Sequence, residues 1–238
     1  MSLDYMPCNI WSMVLGSWDD VYKRAGRLWG EEPSVLALAA MEYLQKHRPG
    51  SEALGILDIG CGYGRDTLYF FSNLECRILG IDAAPEAVRI ASSSVPEAWR
   101  RDIDFQCCSF TELKEQKYDV VFASNLYQVL QAADRRELAR VVMGMLKPGG
   151  LLFLCTLSVS DPEHYGKGIP VPGDPHSFHE RMYLHFATRE ELAGVFAFLN
   201  VKELYGQEYY EKHTADVIHH HISWMLIGEL PAASDSEA

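Results

Sequence analysis

A chain of 238 residues, 48% of them hydrophobic, can bury one full core and reads as a single domain with appendages. Its formal net charge of −12, with no basic run longer than Arg100-Arg101 or Arg135-Arg136, argues against a protein that neutralises many nucleic-acid phosphates. No apolar stretch reaches membrane-spanning length, no signal-peptide layout opens the chain, and the six cysteines show no C-x-x-C spacing, so a reducing, cytoplasmic setting is expected.

Residues 1–33 are dense in aromatics: Tyr5, Trp11, Trp18, Tyr22 and Trp29. Ser17 is placed to cap a helix in which Trp18, Val21, Tyr22 and Ala25 share one face. That face either packs on the domain or closes over a ligand as a lid, and the two readings are compatible. Ser34 caps a second helix with Leu36, Ala39, Ala40, Tyr43 and Leu44 as its apolar stripe, and Arg48-Pro49-Gly50 stops it.

The next stretch organises the chain. Ile56, Leu57, Asp58 and Ile59 form the short apolar run of a buried parallel strand. Gly60, Gly62 and Gly64 follow at alternate positions, and apolar residues then return at helical spacing at Leu68 and Phe71. Glycine lets the backbone turn sharply and a ligand approach with no Cβ in the way. The helix start behind it offers N–H groups to a carboxylate or phosphate. A dinucleotide fingerprint needs its third glycine at position 65, where Arg65 stands.

A second strand, 76–82, ends in Asp82, at the spacing from which an acid reaches a ribose. Its carboxylate can accept from both ribose hydroxyls, although strand-end acids also cap helices and Pro85 begins one here. A third strand over 103–108 is followed by Ser109 and Phe110. The fourth, 118–125, is apolar enough to be buried on both faces and leads into Asn125, Tyr127 and Gln128 at its carboxyl end. A helix over about 134–145 stops at Lys147-Pro148-Gly149-Gly150, a turn of structural role before the strand 151–156.

In this order, Asp58-x-Gly60-x-Gly62-x-Gly64, the strand-end Asp82, the two later junctions and the Lys-Pro-Gly-Gly turn resemble the class I S-adenosylmethionine-dependent methyltransferases over residues 55–156. The resemblance implies an α/β fold: a Rossmann-like, seven-stranded, mostly parallel sheet with an antiparallel last strand and helices on both faces. It divides the single domain 1–238 into an N-terminal helical cap or lid (1–48), a cofactor-binding core (54–158), a substrate-side linker (159–187) and a last helix with closing hairpin (188–230). It implies S-adenosyl-L-methionine as cofactor and methyl transfer to a small-molecule nucleophile by in-line displacement. Gly60, Cys61, Gly62 and Gly64 would admit the methionine portion, Asp58 would support its ammonium end, and Asp82 with Ala83 would hold the ribose. Ser109 and Phe110 would frame adenine, while Asn125 and Tyr127 face the reacting centre. Ser109 departs from the pattern, since the family usually carries an acid there. The prolines typical of enzymes acting on base amino groups are absent after Asn125. The Trp-rich start and overall length resemble small-molecule enzymes of the thiopurine and tellurite-resistance type.

Residues 161–186 form a long, irregular connection rich in proline and glycine, which in a compact domain is usually functional or disordered. Thr188 and Glu191 make a capping box, and 201–208 with 218–228 read as a hairpin whose turn returns to the ligand rim. Of the nine histidines, all but His47 lie after residue 160. Strand alternation puts His219 and His221 on one face and His220 on the other. His213 across the turn could complete a divalent metal site with His219 and His221. The same rings could instead act on protons, bind an anionic substrate, or form a plain polar rim. Tyr127, His179, His185 and His221 are the candidate general bases. Two other readings stand beside the enzyme: a non-catalytic binding or partner subunit of the same fold, and, less favoured because of Arg65 and the Lys-Pro-Gly-Gly turn, a nicotinamide-dependent oxidoreductase.

Overall fold

The apolar runs form β1 (Leu54–Ile59), β2 (Cys76–Asp82), β3 (Ile103–Cys107), β4 (Tyr118–Ser124) and β5 (Leu146–Leu157). The computed structural model describes residues 17–48, 52–212 and 218–232. Between and before these strands lie α1 (Trp18–Ala25), α2 (Val35–His47), α3 (Arg65–Asn73), α4 (Pro85–Ser93) and α5 (Ala132–Met145). The short strands β6 (Ile169–Pro170), β7 (Ser177–His179) and β8 (Tyr183–His185) precede α6 (Arg189–Val195), and the long strands β9 (Asn200–Lys212) and β10 (Ile218–Glu229) close the chain.

The main sheet runs β3-β2-β1-β4-β5-β10-β9. β1 to β5 are mutually parallel, and β10 is antiparallel to both β5 and β9. The expected seven-stranded sheet with one antiparallel strand is therefore present. Strand alternation feeds two cores. Ile56, Val120 and Phe122 pack with residues of α2, α3 and α4, while Leu57, Val121 and Ala123 pack with residues of α5 and α6. Strand order reverses at β1, which has β2 on one side and β4 on the other. Open α/β sheets bind ligands beyond the carboxyl ends of such strands.

Ser17 and Ser34 cap α1 and α2, accepting from the Asp20 and Ala37 N–H groups, and Thr188 caps α6. Two expectations need correction. β5 begins at Leu146, paired with Tyr118, so the Lys-Pro-Gly-Gly segment is an irregular start of the strand, with a register shift, rather than a turn outside it. The 161–186 connection is not irregular throughout: β6, β7 and β8 make a small antiparallel sheet. His213, Tyr5, Trp11, Pro49 and Gly50 lie outside the described residues. Among the described residues no helix is long and apolar enough to cross a membrane.

Candidate active site

The carboxyl ends of β1, β2 and β4 open into a cavity of about 770 Å³, within the size range of small-molecule sites. One end is built by the glycine turn. The Gly60 and Cys61 N–H groups both bond the Ile81 carbonyl, which draws the turn across the end of β2. The Asp82 carboxylate then accepts from the Gly62 N–H at 3.0 Å and the Ala84 N–H at 2.8 Å. Burial pushes the Asp82 carboxyl up, and those two N–H groups partly offset it. Asp58 is buried and accepts from the Thr67 hydroxyl at 2.5 Å.

The segment that α1 opens contributes three aromatic rings. Trp18, Tyr22 and Trp29 line the cavity, and Trp29 stacks on Tyr63 at 6.3 Å with an interplanar angle of 11°. The segment is pinned to the glycine turn: Tyr63 donates to the Gly30 carbonyl at 2.8 Å, and Arg65 donates to that of Trp29 at 3.0 Å. Asp19 also accepts from the Glu86 N–H at 2.7 Å, seating α1 over the start of α4. Position 65, which ruled out the dinucleotide fingerprint, thus ties the aromatic segment to the core.

Asp58, Gly60, Cys61, Gly62, Asp82, Ala83, Ser109, Phe110 and Asn125 all line the cavity. Gly64 is not among the lining residues; a Cβ there would come within 2.7 Å of the Phe105 ring. The Ser109 hydroxyl accepts from the Thr111 N–H at 3.3 Å and its N–H is taken by Glu112 at 2.8 Å, so much of its bonding capacity caps a short helical turn. Asn125 stands at φ 56, and its Oδ1 is buried with no hydrogen-bond partner among the described residues.

The base candidates separate. Tyr127 does not face the reacting centre: it is fully buried, and its hydroxyl donates to Glu191 at 2.8 Å. Burial first, and Glu191 next, hold that phenol far above its ordinary range. His185 is buried between Ser177, at 2.8 Å, and Glu191, at 2.9 Å. His179 is exposed on β7, its ring against Tyr183. Of the four, His221 lines the cavity, along with His219 and with His164, which the sequence reading left unassigned. The signal for His164 was its place in Asp161-Pro162-Glu163-His164, two carboxylates beside an imidazole.

Residues 56–150 match the sequence pattern of a family described as a methyltransferase domain. A ubiquinone biosynthesis O-methyltransferase of Idiomarina loihiensis is 27% identical over 119 residues, which are 49% of this chain and 47% of that one. A carboxy-S-adenosyl-L-methionine synthase of Psychrobacter arcticus is 25% identical over 162 residues, 64% of this chain and 61% of that one. The alignment with the first of these spans about half the relative's length. Among solved structures, a SAM-dependent methyltransferase of Methanosarcina mazei superposes with a TM-score of 0.67 at 20% identity, over 79% of this chain and 97% of that one. The 1,6-didemethyltoxoflavin-N1-methyltransferase of Burkholderia thailandensis, solved with 1,6-didemethyltoxoflavin and S-adenosylhomocysteine, gives 0.63 at 18% identity over 97% and 93%. Sheet order, glycine turn and sequence match agree: residues 56–150 match a methyltransferase domain, and the chain has the Rossmann-like fold of the solved S-adenosylmethionine-dependent methyltransferases.

Proposed function

We propose that the protein transfers a methyl group from S-adenosylmethionine to a small-molecule nucleophile in the cytoplasm, without acting on nucleic acid. The observation that carries the reading is one cavity shared by the glycine turn, Asp82 and a histidine-bearing wall. The residues fit the cofactor. A carboxylate has about four lone-pair sites, so Asp82, with two backbone N–H partners, keeps capacity for ribose hydroxyls. Asn125 Oδ1 has an unmet acceptor, and Gly60 and Gly62 line the cavity with no side chain of their own.

When bound, the cofactor supplies a methyl group on a sulfonium sulfur, already activated for displacement. The chain then has to position and to dry the site, the usual contributions where no covalent catalysis is needed. Asp82 orients the ribose, Asp58 faces the ammonium, and Phe110 offers an apolar wall. Trp18, Tyr22 and Trp29 act as a lid that excludes water. The acceptor lies toward His164, His219 and His221. The net charge of −12 disfavours a polyanionic substrate.

Calorimetric titration with S-adenosylhomocysteine tests this. One-to-one binding is expected, weakened at least about tenfold by Asp82→Ala, the scale of one charge-assisted hydrogen bond. Absence of any binding to the wild type would remove the enzyme reading.

A further inference from the structure

β9 and β10 overrun the sheet. β10 pairs with β5 only from Ser223 onward, whereas residues 218–221 pair with β9 alone. On that overhang His219 and His221 share a face, their rings 5.9 Å apart and within 6° of parallel. His220 turns the other way, bonding Glu208 and stacking on Tyr210. A third ring, His164, arrives from the turn after β5, at 5.9 Å from His219 and 5.5 Å from His221. One nitrogen from each imidazole lies within 4.8 Å of the other two.

The turn 161–164 is built around this cluster. Asp161 Oδ1 accepts from the Glu163 N–H at 3.1 Å and the His164 N–H at 2.8 Å, which folds the turn and presents His164. Its Oδ2 accepts from His221 Nδ1 at 3.1 Å and from the Ile222 N–H at 3.2 Å. Glu163 repeats the arrangement, with Oε1 on His219 Nδ1 at 2.5 Å and Oε2 on the His220 N–H at 2.8 Å. An ionised carboxylate only accepts, so Nδ1 of both rings carries hydrogen and Nε2 is the donor atom of the neutral ring. Histidines that bind metals are held by this kind of outer carboxylate, which fixes tautomer and ring orientation. Two ligands so supported, plus a third from the supporting turn itself, exceed what a tie between linker and hairpin requires.

We propose that His164, His219 and His221 form a binding site for one divalent transition-metal ion, with its open coordination positions turned to the acceptor end of the cavity. Three imidazole nitrogens suit zinc, cobalt, nickel, copper or iron rather than the oxygen-seeking magnesium and calcium. A tetrahedral ion places its nitrogen ligands about 3.3 Å apart, so the rings close in by side-chain rotation when the ion binds. Three protein ligands leave a position for an exogenous one, the pattern of a reactive rather than a sealed structural site. The ligand fitting that position is a small molecule with an ionisable lone-pair donor, such as a phenolic or enolic oxygen or a thiol, whose ionisation a bound cation favours. This assigns His221 to ligation rather than to proton uptake. The acceptor class rests on the methyl-transfer reading; the metal site does not.

The test is a titration of the full-length, untagged protein, stripped with chelator, with Co²⁺ alone, followed by visible absorption and calorimetry. The expected result is one ion per chain with the d–d bands of a four- or five-coordinate nitrogen site. His164→Gln, whose ring makes no hydrogen bond among the described residues, should abolish the bands, and Glu163→Gln should weaken binding about tenfold or more. S-adenosylhomocysteine binding, measured on the same metal-free samples, reports folding of the variants and tests the cofactor reading separately. No bands in the wild type, or equal Co²⁺ affinity in a folded His164→Gln protein, would overturn the metal site and leave the carboxylate–imidazole pairs as a structural tie.

Discussion

Asp58 is the most deeply buried carboxyl at the cofactor end. It is 2% exposed, and burial pushes its carboxyl up to about 8, with Asp66 and Asp82 adding to the rise and the Thr67 hydroxyl opposing it. Between its ordinary value of 3.8 and about 8 the folded chain therefore holds a proton that the unfolded chain has lost. Stability of the empty protein should fall as pH rises through that window, by up to about 1.4 kcal/mol per pH unit. Urea midpoints between about pH 5 and 7.5 should show that slope, and Asp58→Asn should flatten it. An ammonium seated beside Asp58 reverses the preference. S-adenosylhomocysteine binding near neutral pH should then release about one proton to the buffer, read as a buffer-dependent enthalpy that Asp58→Asn lacks. Equal proton release in the Asn variant would place the ammonium elsewhere. That Asp58 and Asp82 line the cavity was legible because each lies at or beside a strand end. Tyr127 was misplaced because the left-handed Asn125 and the tight turn over Tyr127–Val129 leave Asn125 and Gln128 at the cavity and put Tyr127 under Glu191. No spacing in the sequence reports that rotation.

The glycine turn and α1 act as one element pair, and two glycines of the turn serve different neighbours. A Cβ on Gly62, at φ 55, would stand 2.7 Å from the Tyr22 hydroxyl oxygen, with the next Tyr22 atom at 3.6 Å. A Cβ on Gly64, at φ 81, would stand 2.7 Å from the Phe105 ring and 3.1 Å from Ala91, inside the core. Gly64→Ala should therefore cost about 2–4 kcal/mol of stability, combining left-handed strain with overpacking. Gly62→Ala should cost about 1–2 kcal/mol of strain and, by displacing α1, weaken S-adenosylhomocysteine binding. Gly62→Ala with Tyr22→Phe should recover part of that affinity, because the colliding oxygen is gone. A double variant no better than Gly62→Ala would show that Tyr22 is not what the turn accommodates. Elements of this size were readable, since caps at Ser17, Ser34 and Thr188 and apolar runs in β1 to β5 are local signals. β6, β7 and β8 were not, because strands of two or three residues carry no periodicity and are fixed by distant side chains. The pairing of Glu163 with His219 spans 56 residues and was invisible for the same reason.

At the scale of the molecule, one tie between the 159–187 segment and the core is a buried polar network centred on Arg135. Arg135 of α5, 5% exposed, donates to Asp174 at 2.6 Å, to the Tyr183 hydroxyl at 2.6 Å and to the Leu130 carbonyl at 2.8 Å. Glu191 accepts from Tyr127 and pairs with His185, closing the network onto α6. Removing one member of a buried ion pair strands the other, at about 3–5 kcal/mol, whereas replacing both with apolar residues costs far less. Arg135→Met should therefore lower stability by about that amount, and adding Asp174→Leu should restore much of it. Because β6, β7 and β8 hang on this network, Arg135→Met should also speed tryptic cleavage at the exposed Arg181. The cofactor end is built by residues 58–84 and by α1, none of which bonds to the network. S-adenosylhomocysteine affinity should stay within about twofold while the histidine wall loosens, an energetic separation expected of sites without shared partners. A fall in cofactor affinity that tracks the loss of stability would mean that the two ends of the cavity fold as one unit, and that the 159–187 segment also sets the shape of the cofactor site.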